Sequence, residues 1–242
     1  KIGTETCGNI RNCVVTGCVV RNSNRGLGIW ARDGGNVENI LVSDMTVETR
    51  MFRGAPHRDR VRDWWGKGEP IFLSADYRTP GVFPGKIRRV LVKHILAECE
   101  NSVFLQGVPE SPIEDVWLEG LHLHFRMISG LEGGKYDIQP PENRVYDHDS
   151  PAVYGSYVKG LTIKDCSVSW DAPGSKHWSH LLECENSCNL EVDGMTGRAA
   201  RAGLPAVVLQ NVRGVRLGRC FPPAGESFLS RTDVEDDWVG NE

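Results

Sequence analysis

One apolar pattern returns seven times along the chain. NIRNCVVTGCVV from residue 9, NVENILVSDMTV from 36, KIRRVLVKHILA from 86, PIEDVWLEGLHL from 112, YVKGLTIKDCSV from 157, NSCNLEVDGMTG from 186 and NVRGVRLGRC from 211 can be set one above another with their apolar slots coinciding. One slot holds Cys13, Ile40, Val90, Val116, Leu161, Leu190 and Val215, and the slot two residues on holds Val15, Val42, Val92, Leu118, Ile163, Val192 and Leu217. Three residues further come Cys18, Met45, Ile95, Leu121, Cys166 and Met195, so the alternation breaks at one defined corner. A fixed recurrence of this kind is the signature of a stacked repeat, in which each unit buries its apolar face only against its neighbours.

The unit is built of strands. Within each segment the apolar residues alternate with polar ones, and no run of helical period competes. A second short strand precedes each segment, as GLGIW at 26, PIFLS at 70, SVFLQ at 102, AVYGS at 152, SHLLE at 179 and AVVLQ at 206, with IGTE at 2 to 5 supplying part of the first. Segment starts lie 27, 50, 26, 45, 29 and 25 residues apart, the two long intervals holding an insertion or an extra turn. The expected fold is therefore all-β, a right-handed parallel β-helix, a solenoid of coils about 25 residues long. It covers residues 1–220, truncated at the N-terminal side because the chain begins inside a coil, and 221–242 form a C-terminal tail or cap after Pro222 and Pro223. Asn39, Asp44, Gly160 and Gly194 fall at the corners, where left-handed backbone is needed. A leucine-rich repeat would carry regular leucines and a helix or turn on one limb, and neither occurs.

Composition narrows the partners. A formal net charge of −4 gives no general attraction to nucleic acid, and no apolar run approaches the roughly 20 residues of a membrane helix, so neither partner is expected. Of the eight cysteines, Cys13 and Cys18 occupy apolar slots and are expected as buried free thiols, while Cys184 and Cys188 in ECENSC have a more polar setting in which a bridge stays open. His122 and His124 lie two apart on one strand face without further ligands beside them. No metal and no cofactor is expected. GxSxG, Walker and Rossmann patterns are absent, and the glycines of GLGIWARDGG, with no helix after them, read as turns.

Insertions at solenoid corners are where sites are built. RMFRGAPHRDRVRDWWGKGE, residues 50 to 69, sets Arg50, Arg53, Arg58, Arg60, Arg62 and Lys67 against Asp59, Asp63 and Glu69 beside Trp64 and Trp65; the second insertion, 126 to 150, holds Lys135, Tyr136, Arg144, Tyr146 and His148. Arginine binds a carboxylate through two parallel hydrogen bonds and an indole stacks on a sugar ring, so the first cluster suits an acidic polysaccharide. Its blander reading is a solvated loop whose tryptophans pack on the strands and whose Lys67 and Glu69 pair with each other. Glycosidic hydrolysis needs two carboxyl groups about 5 to 9.5 Å apart. Glu5, Asp33, Asp44, Asp59, Asp63 and Glu69 are available, yet none forms a tight pair on adjacent strands, and most read as turn residues or ion-pair partners.

KIGTET, NIRNCVVTGCVVRNSNRGLGI, GGNVENILVSDMTVETR, WWGKGEPIFLSA, IRRVLVKHILAECENSVFLQG and SPIEDVWLEG, in this order and spacing, give residues 1 to about 125 a resemblance to glycoside hydrolase family 28, the polygalacturonase-like pectin hydrolases, in particular its bacterial branch. The resemblance implies a β-helical, extracellular or periplasmic enzyme that hydrolyses cell-wall galacturonan or rhamnogalacturonan with inversion, its aspartates in NTD and DD motifs and its histidine in a GHG motif. Those motifs precede the strand matching the start of this chain, so the resemblance sets the catalytic acids on missing N-terminal coils of the same protein. The family's R-I-K triplet, whose arginine and lysine grip a substrate carboxylate, falls on RGLGIW, where Gly28 and Trp30 stand at the two charged positions. Arg25, Trp30, Arg32, Trp65, Lys67 and Glu69 are the candidate contacts to a polysaccharide or oligosaccharide substrate, with Trp30 favouring a less charged sugar. Two alternatives remain at this stage: a non-catalytic carbohydrate-binding or structural β-helix, and a polysaccharide lyase or epimerase on the same scaffold, using an arginine or lysine base and often calcium.

Overall fold

The computed structural model describes residues 1–52, 66–137, 145–220 and 228–240. Among them there is no helix, and the strands are β1 (Ile2–Thr4), β2 (Ile10–Thr16), β3 (Val19–Ser23), β4 (Arg25–Ala31), β5 (Val37–Thr49), β6 (Glu69–Ser74), β7 (Ile87–Cys99), β8 (Val103–Gln106) and β9 (Ile113–Phe125). They continue as β10 (Lys135–Asp137), β11 (Val145–Asp147), β12 (Val153–Ser156), β13 (Val158–Lys164), β14 (Ser167–Trp170), β15 (Leu182–Asp193), β16 (Val207–Gly218) and β17 (Leu229–Gly240). All but β10 and β11 join one large, nearly closed sheet of parallel strands.

The repeated slots of the sequence are direct neighbours across this sheet. Cys13 pairs with Ile40, Ile40 with Val90, Val90 with Val116, Val116 with Leu161, Leu161 with Leu190 and Leu190 with Val215. From Ile40 to Val215 these residues are buried in one continuous apolar core. Each such side chain contributes about 1.5–3 kcal/mol by leaving water, and the ladder repeats the gain at every unit. Cys13 and Cys18, expected to be buried, are only partly so, because β2 and β3 pair on one side alone, with β5. All eight cysteines are free, Cys184 and Cys188 among them, and burial pushes the Cys184 thiol up to about 12.

Corners are set by left-handed residues in matching positions. Asn39 (φ 56°), Arg89 (φ 54°), Asp115 (φ 53°) and Asn189 (φ 57°) mark one bend, and Asp44 (φ 57°), His94 (φ 53°) and Asp165 (φ 50°) the next. Asn, Asp and His are comparatively frequent in this region, whereas arginine enters it at some cost. Side chains across neighbouring strands hold them there. Asn39 Nδ2 donates to Asn12 Oδ1 at 2.8 Å, Arg89 Nε donates to Asn39 Oδ1 at 2.6 Å, and His94 Nδ1 lies 3.1 Å from Asp44 Oδ1.

The bends divide the strands into three runs. The first contains β1, β4, β6, β8, β12 and the opening residues of β15, β16 and β17. SHLLE contributes to it only from Leu182, and residues 229–240, assigned by sequence to a tail or cap, form β17, which pairs with β16 along its length. Leu27, Ile29, Ile71, Leu73, Val103, Leu105, Val153 and Leu182 of this run point into the common core. Its opposite face carries a second, separate cluster, and that face positions the site.

Candidate functional site

On the outer face of the first run, Gly28, Phe72, Phe104, Tyr154 and Glu183 lie in register, one per strand. Gly28 lacks a ring of its own but accommodates a neighbour's: a Cβ there would stand 2.3 Å from the Trp30 indole, which leans back over it. The indole then reaches Phe72 (ring centroids 5.5 Å apart), Phe72 stacks on Phe104 (4.9 Å), and Phe104 stacks on Tyr154 (5.2 Å). Gly28 and Trp30 are thus one packing unit, a glycine making room for a tryptophan.

Arg25 and Glu69 close one end of this row. Arg25 Nε and Nη2 donate to Glu69 Oε2 and Oε1 at 3.1 and 3.2 Å, and the guanidinium lies 3.8 Å from the Phe72 ring centroid. Glu69 also accepts the Lys67 backbone N–H at 2.8 Å, so its carboxylate is held by Arg25 and by the Lys67 amide. Trp30 is 3% exposed, Arg32 1% and Glu69 0%, and Arg25 is buried with them. Of the sequence-derived candidates the structure therefore brings Arg25, Trp30, Lys67 and Glu69 together, in a largely dry cluster. Arg32 is buried just beyond the end of β4, and Trp65 lies outside the described residues, as do Arg53, Arg58, Asp59, Arg60, Arg62, Asp63 and Trp64 of its insertion and Arg144 of the second.

The second insertion covers the other end. Its strands β10 and β11 pair antiparallel and set Tyr136 on Phe104, ring centroids 4.5 Å apart. The Tyr136 hydroxyl bonds Ser102 Oγ, which donates to the Pro151 carbonyl, and the tyrosine is fully buried. Tyr146 and His148 follow in the same segment, their rings stacked 5.3 Å apart at the edge of the row.

Here stands a pair of carboxylates absent from the sequence-derived candidates. Glu183 and Glu185 flank the inward-facing Cys184 on β15 and so share the outer face. Each has its own partner. Tyr154 donates its hydroxyl proton to Glu185 Oε1 at 2.5 Å and lies 3.4 Å from the Tyr146 hydroxyl. His148 donates from Nδ1 to the Asp149 carbonyl at 2.5 Å and faces Glu183 Oε1 with Nε2 at 3.1 Å. Burial works to lower the His148 pKa, but the Glu183 hydrogen bond and charge outweigh it, with help from the Asp149 carbonyl and Glu185; the net shift is upward and favours imidazolium. Burial first, and the Glu185 bond second, drive the Tyr154 phenol far above its usual value. The signal for this pair was in LECEN: two glutamates at period 2 around a core cysteine.

Of the carboxylates weighed from sequence, Glu5, Asp33 and Asp44 are engaged elsewhere, Glu69 closes the aromatic row, and Asp59 and Asp63 lie outside the described residues. Arg78 bridges Glu5 at 2.6 Å and Asp33 at 2.8 Å, and Asp44 accepts from Ser43 at 2.6 Å. One column along from the aromatic row, Trp30, Ser74, Gln106, Ser156 and Glu185 are also in register. Trp30 Nε1, Ser74 Oγ and Gln106 Oε1 are buried with no hydrogen-bond partner among the described residues, a concentration unusual for a folded interior. No group of three or more metal-ligating side chains gathers among the described residues. Compared with family models, with curated proteins and with solved structures, the chain matches none.

Proposed function

We propose that the parallel strands wind as a right-handed parallel β-helix and that the protein is a glycoside hydrolase acting on pectin-type polysaccharide, galacturonan or rhamnogalacturonan, by inversion. In this reading the catalytic acids stand on coils outside this segment, and the outer face of the first run supplies the far wall of the cleft. The observation that carries it is the row from Trp30 through Phe72, Phe104 and Tyr154 to Glu183, one side chain per strand. Neighbouring strands lie about 4.8 Å apart, so the buried row forms a rigid floor running across them, and an extended sugar chain would lie on the exposed side chains at its end, Tyr146, Gln210, Ser230 and Thr232.

A non-catalytic carbohydrate-binding or structural β-helix is the second reading. It is favoured by the Arg25–Glu69 bond, which engages within the protein a guanidinium that would otherwise grip a substrate carboxylate. The full-length protein incubated with polygalacturonate and with rhamnogalacturonan separates the readings. New reducing ends without ultraviolet absorbance are expected. Unsaturated, absorbing ends would replace the hydrolase by a lyase, and no product from either polymer would leave the binding protein.

A further inference from the structure

We propose that the ledge where the aromatic row ends is a subsite for a neutral, hydroxyl-rich sugar residue, selected against a uronate. The inference rests on the carbohydrate reading above and names the sugar class that this part of the face takes.

The register of β12, β15, β16 and β17 builds the ledge. The row that holds Phe104 and Tyr154 continues through Glu183 to Val208 and Ser230, and the adjacent column runs from Ser156 through Glu185 to Gln210 and Thr232. Large rings thus give way to two carboxylates and then to short side chains, of which Gln210, Ser230 and Thr232 are exposed. Tyr146, 36% exposed, stands beside this drop with its ring stacked on His148.

The chemistry of the step favours hydroxyl donors. Ionised carboxylates only accept hydrogen bonds, and each offers about four lone-pair positions. Glu185 gives one to Tyr154 and Glu183 one to His148, which leaves acceptor capacity on both. A sugar hydroxyl satisfies it, while the C–H face of the ring packs on Tyr146 and Gln210 offers a further amide. A uronate carboxylate would face Glu183 and Glu185 as a like charge, and the imidazole of His148 beside them is already bound to Glu183. The aromatic end near Arg25 and the carboxylate end near Glu183 therefore differ in the sugars they tolerate.

Calorimetric titration with a neutral galacto-oligosaccharide and with an oligogalacturonide of equal length tests this. The wild type is expected to bind the neutral chain at least tenfold more tightly. Glu183→Gln with Glu185→Gln should shrink that ratio severalfold, mainly through tighter binding of the uronide. Tyr146→Ala should weaken the neutral sugar about tenfold, and Gln210→Trp, which fills the ledge from an exposed position, should abolish its binding with the circular dichroism spectrum unchanged. Equal wild-type affinities, no binding of the neutral chain, or a ratio unmoved by the glutamate changes would overturn the subsite. Reducing-end release is read on the same samples: neutral binding without hydrolysis defeats only the hydrolase reading, and hydrolysis with an unmoved ratio defeats only the subsite.

Discussion

Two outer faces of the same sheet, built on the same parallel pairing, have been finished in opposite ways. On the first run Trp30, Phe72, Phe104 and Tyr154 are buried beneath salt-bridged and inserted residues. On the third run, made by β3, β14 and the closing residues of β5, β7 and β9, the positions in register are Val19, Thr46, Leu96, His122 and Ser167, with Leu96 55% exposed and Val19 69%. There His122 and His124 each meet a serine hydroxyl on the next strand at 2.7 Å, along an open groove lined also by Glu48, Glu98 and Arg126. Backbone pairing and core ladders are common to both faces. What differs is the outward side chain and whether an insertion folds back over it, so the repeat explains the scaffold and leaves the site to the residues that do not repeat.

The sharpest way to break this contrast is Glu69→Gln, which takes the bidentate Glu69 carboxylate away from the Arg25 guanidinium buried beside Phe72. A loss of about 3–5 kcal/mol is expected in urea unfolding, because one partner of a buried ion pair is removed. A loss below about 1 kcal/mol, the range of exposed pairs, would mean that the first face does not depend on that closure. Next comes Gly28→Ala. Its methyl group enters the space of the Trp30 ring, and overpacking of this kind should cost about 1–3 kcal/mol and alter indole fluorescence.

A smaller effect follows from His148. Its folded pKa lies above the ordinary value of about 6.5, so its contribution to stability is complete below about pH 6.5 and is lost as pH rises through the folded value. Between about pH 6 and about pH 9 the thermal midpoint of the wild type should fall relative to that of His148→Gln, and parallel curves would show that the imidazolium pair contributes nothing. Smallest of all is Leu96→Ser on the open face, expected to change stability by no more than about 0.5 kcal/mol in the same urea measurement. A larger loss would show that the third face is also structurally engaged.

The scaffold was legible because a ladder writes itself into sequence. Ile40, Val90 and Val116 occupy one slot by periodicity and pair directly in space, and Asn39 and Asp44 were readable as bends from their tolerance of left-handed backbone. The site was less legible, for a physical reason. Arg25 and Glu69 are 44 positions apart, and nothing local tells an arginine at a strand start that its partner is a glutamate rather than a ligand. The polarity of the first insertion suggested a substrate grip, whereas at its described end Glu69 is fully buried and held by Arg25 and by the Lys67 backbone amide. Glu183 and Glu185 sit in a run whose period 2 places both outside, yet His148 reaches Glu183, and Tyr146 the tyrosine bound to Glu185, only because β10 and β11 fold back across the sheet. Docking of that hairpin has no local sequence signal.

Direct pairing of Ile40 with Val90 has an implication for how such a molecule changes over time. The chain between these two residues is nearly twice as long as that between Val90 and Val116, yet the backbone bonds on either side keep step. Loops that leave and return at a bend are thus mechanically decoupled from the stack. They can be lengthened, exchanged or grafted without renegotiating the pairing beneath, so new recognition surfaces can be tried on this frame while the stability of the frame stays nearly constant.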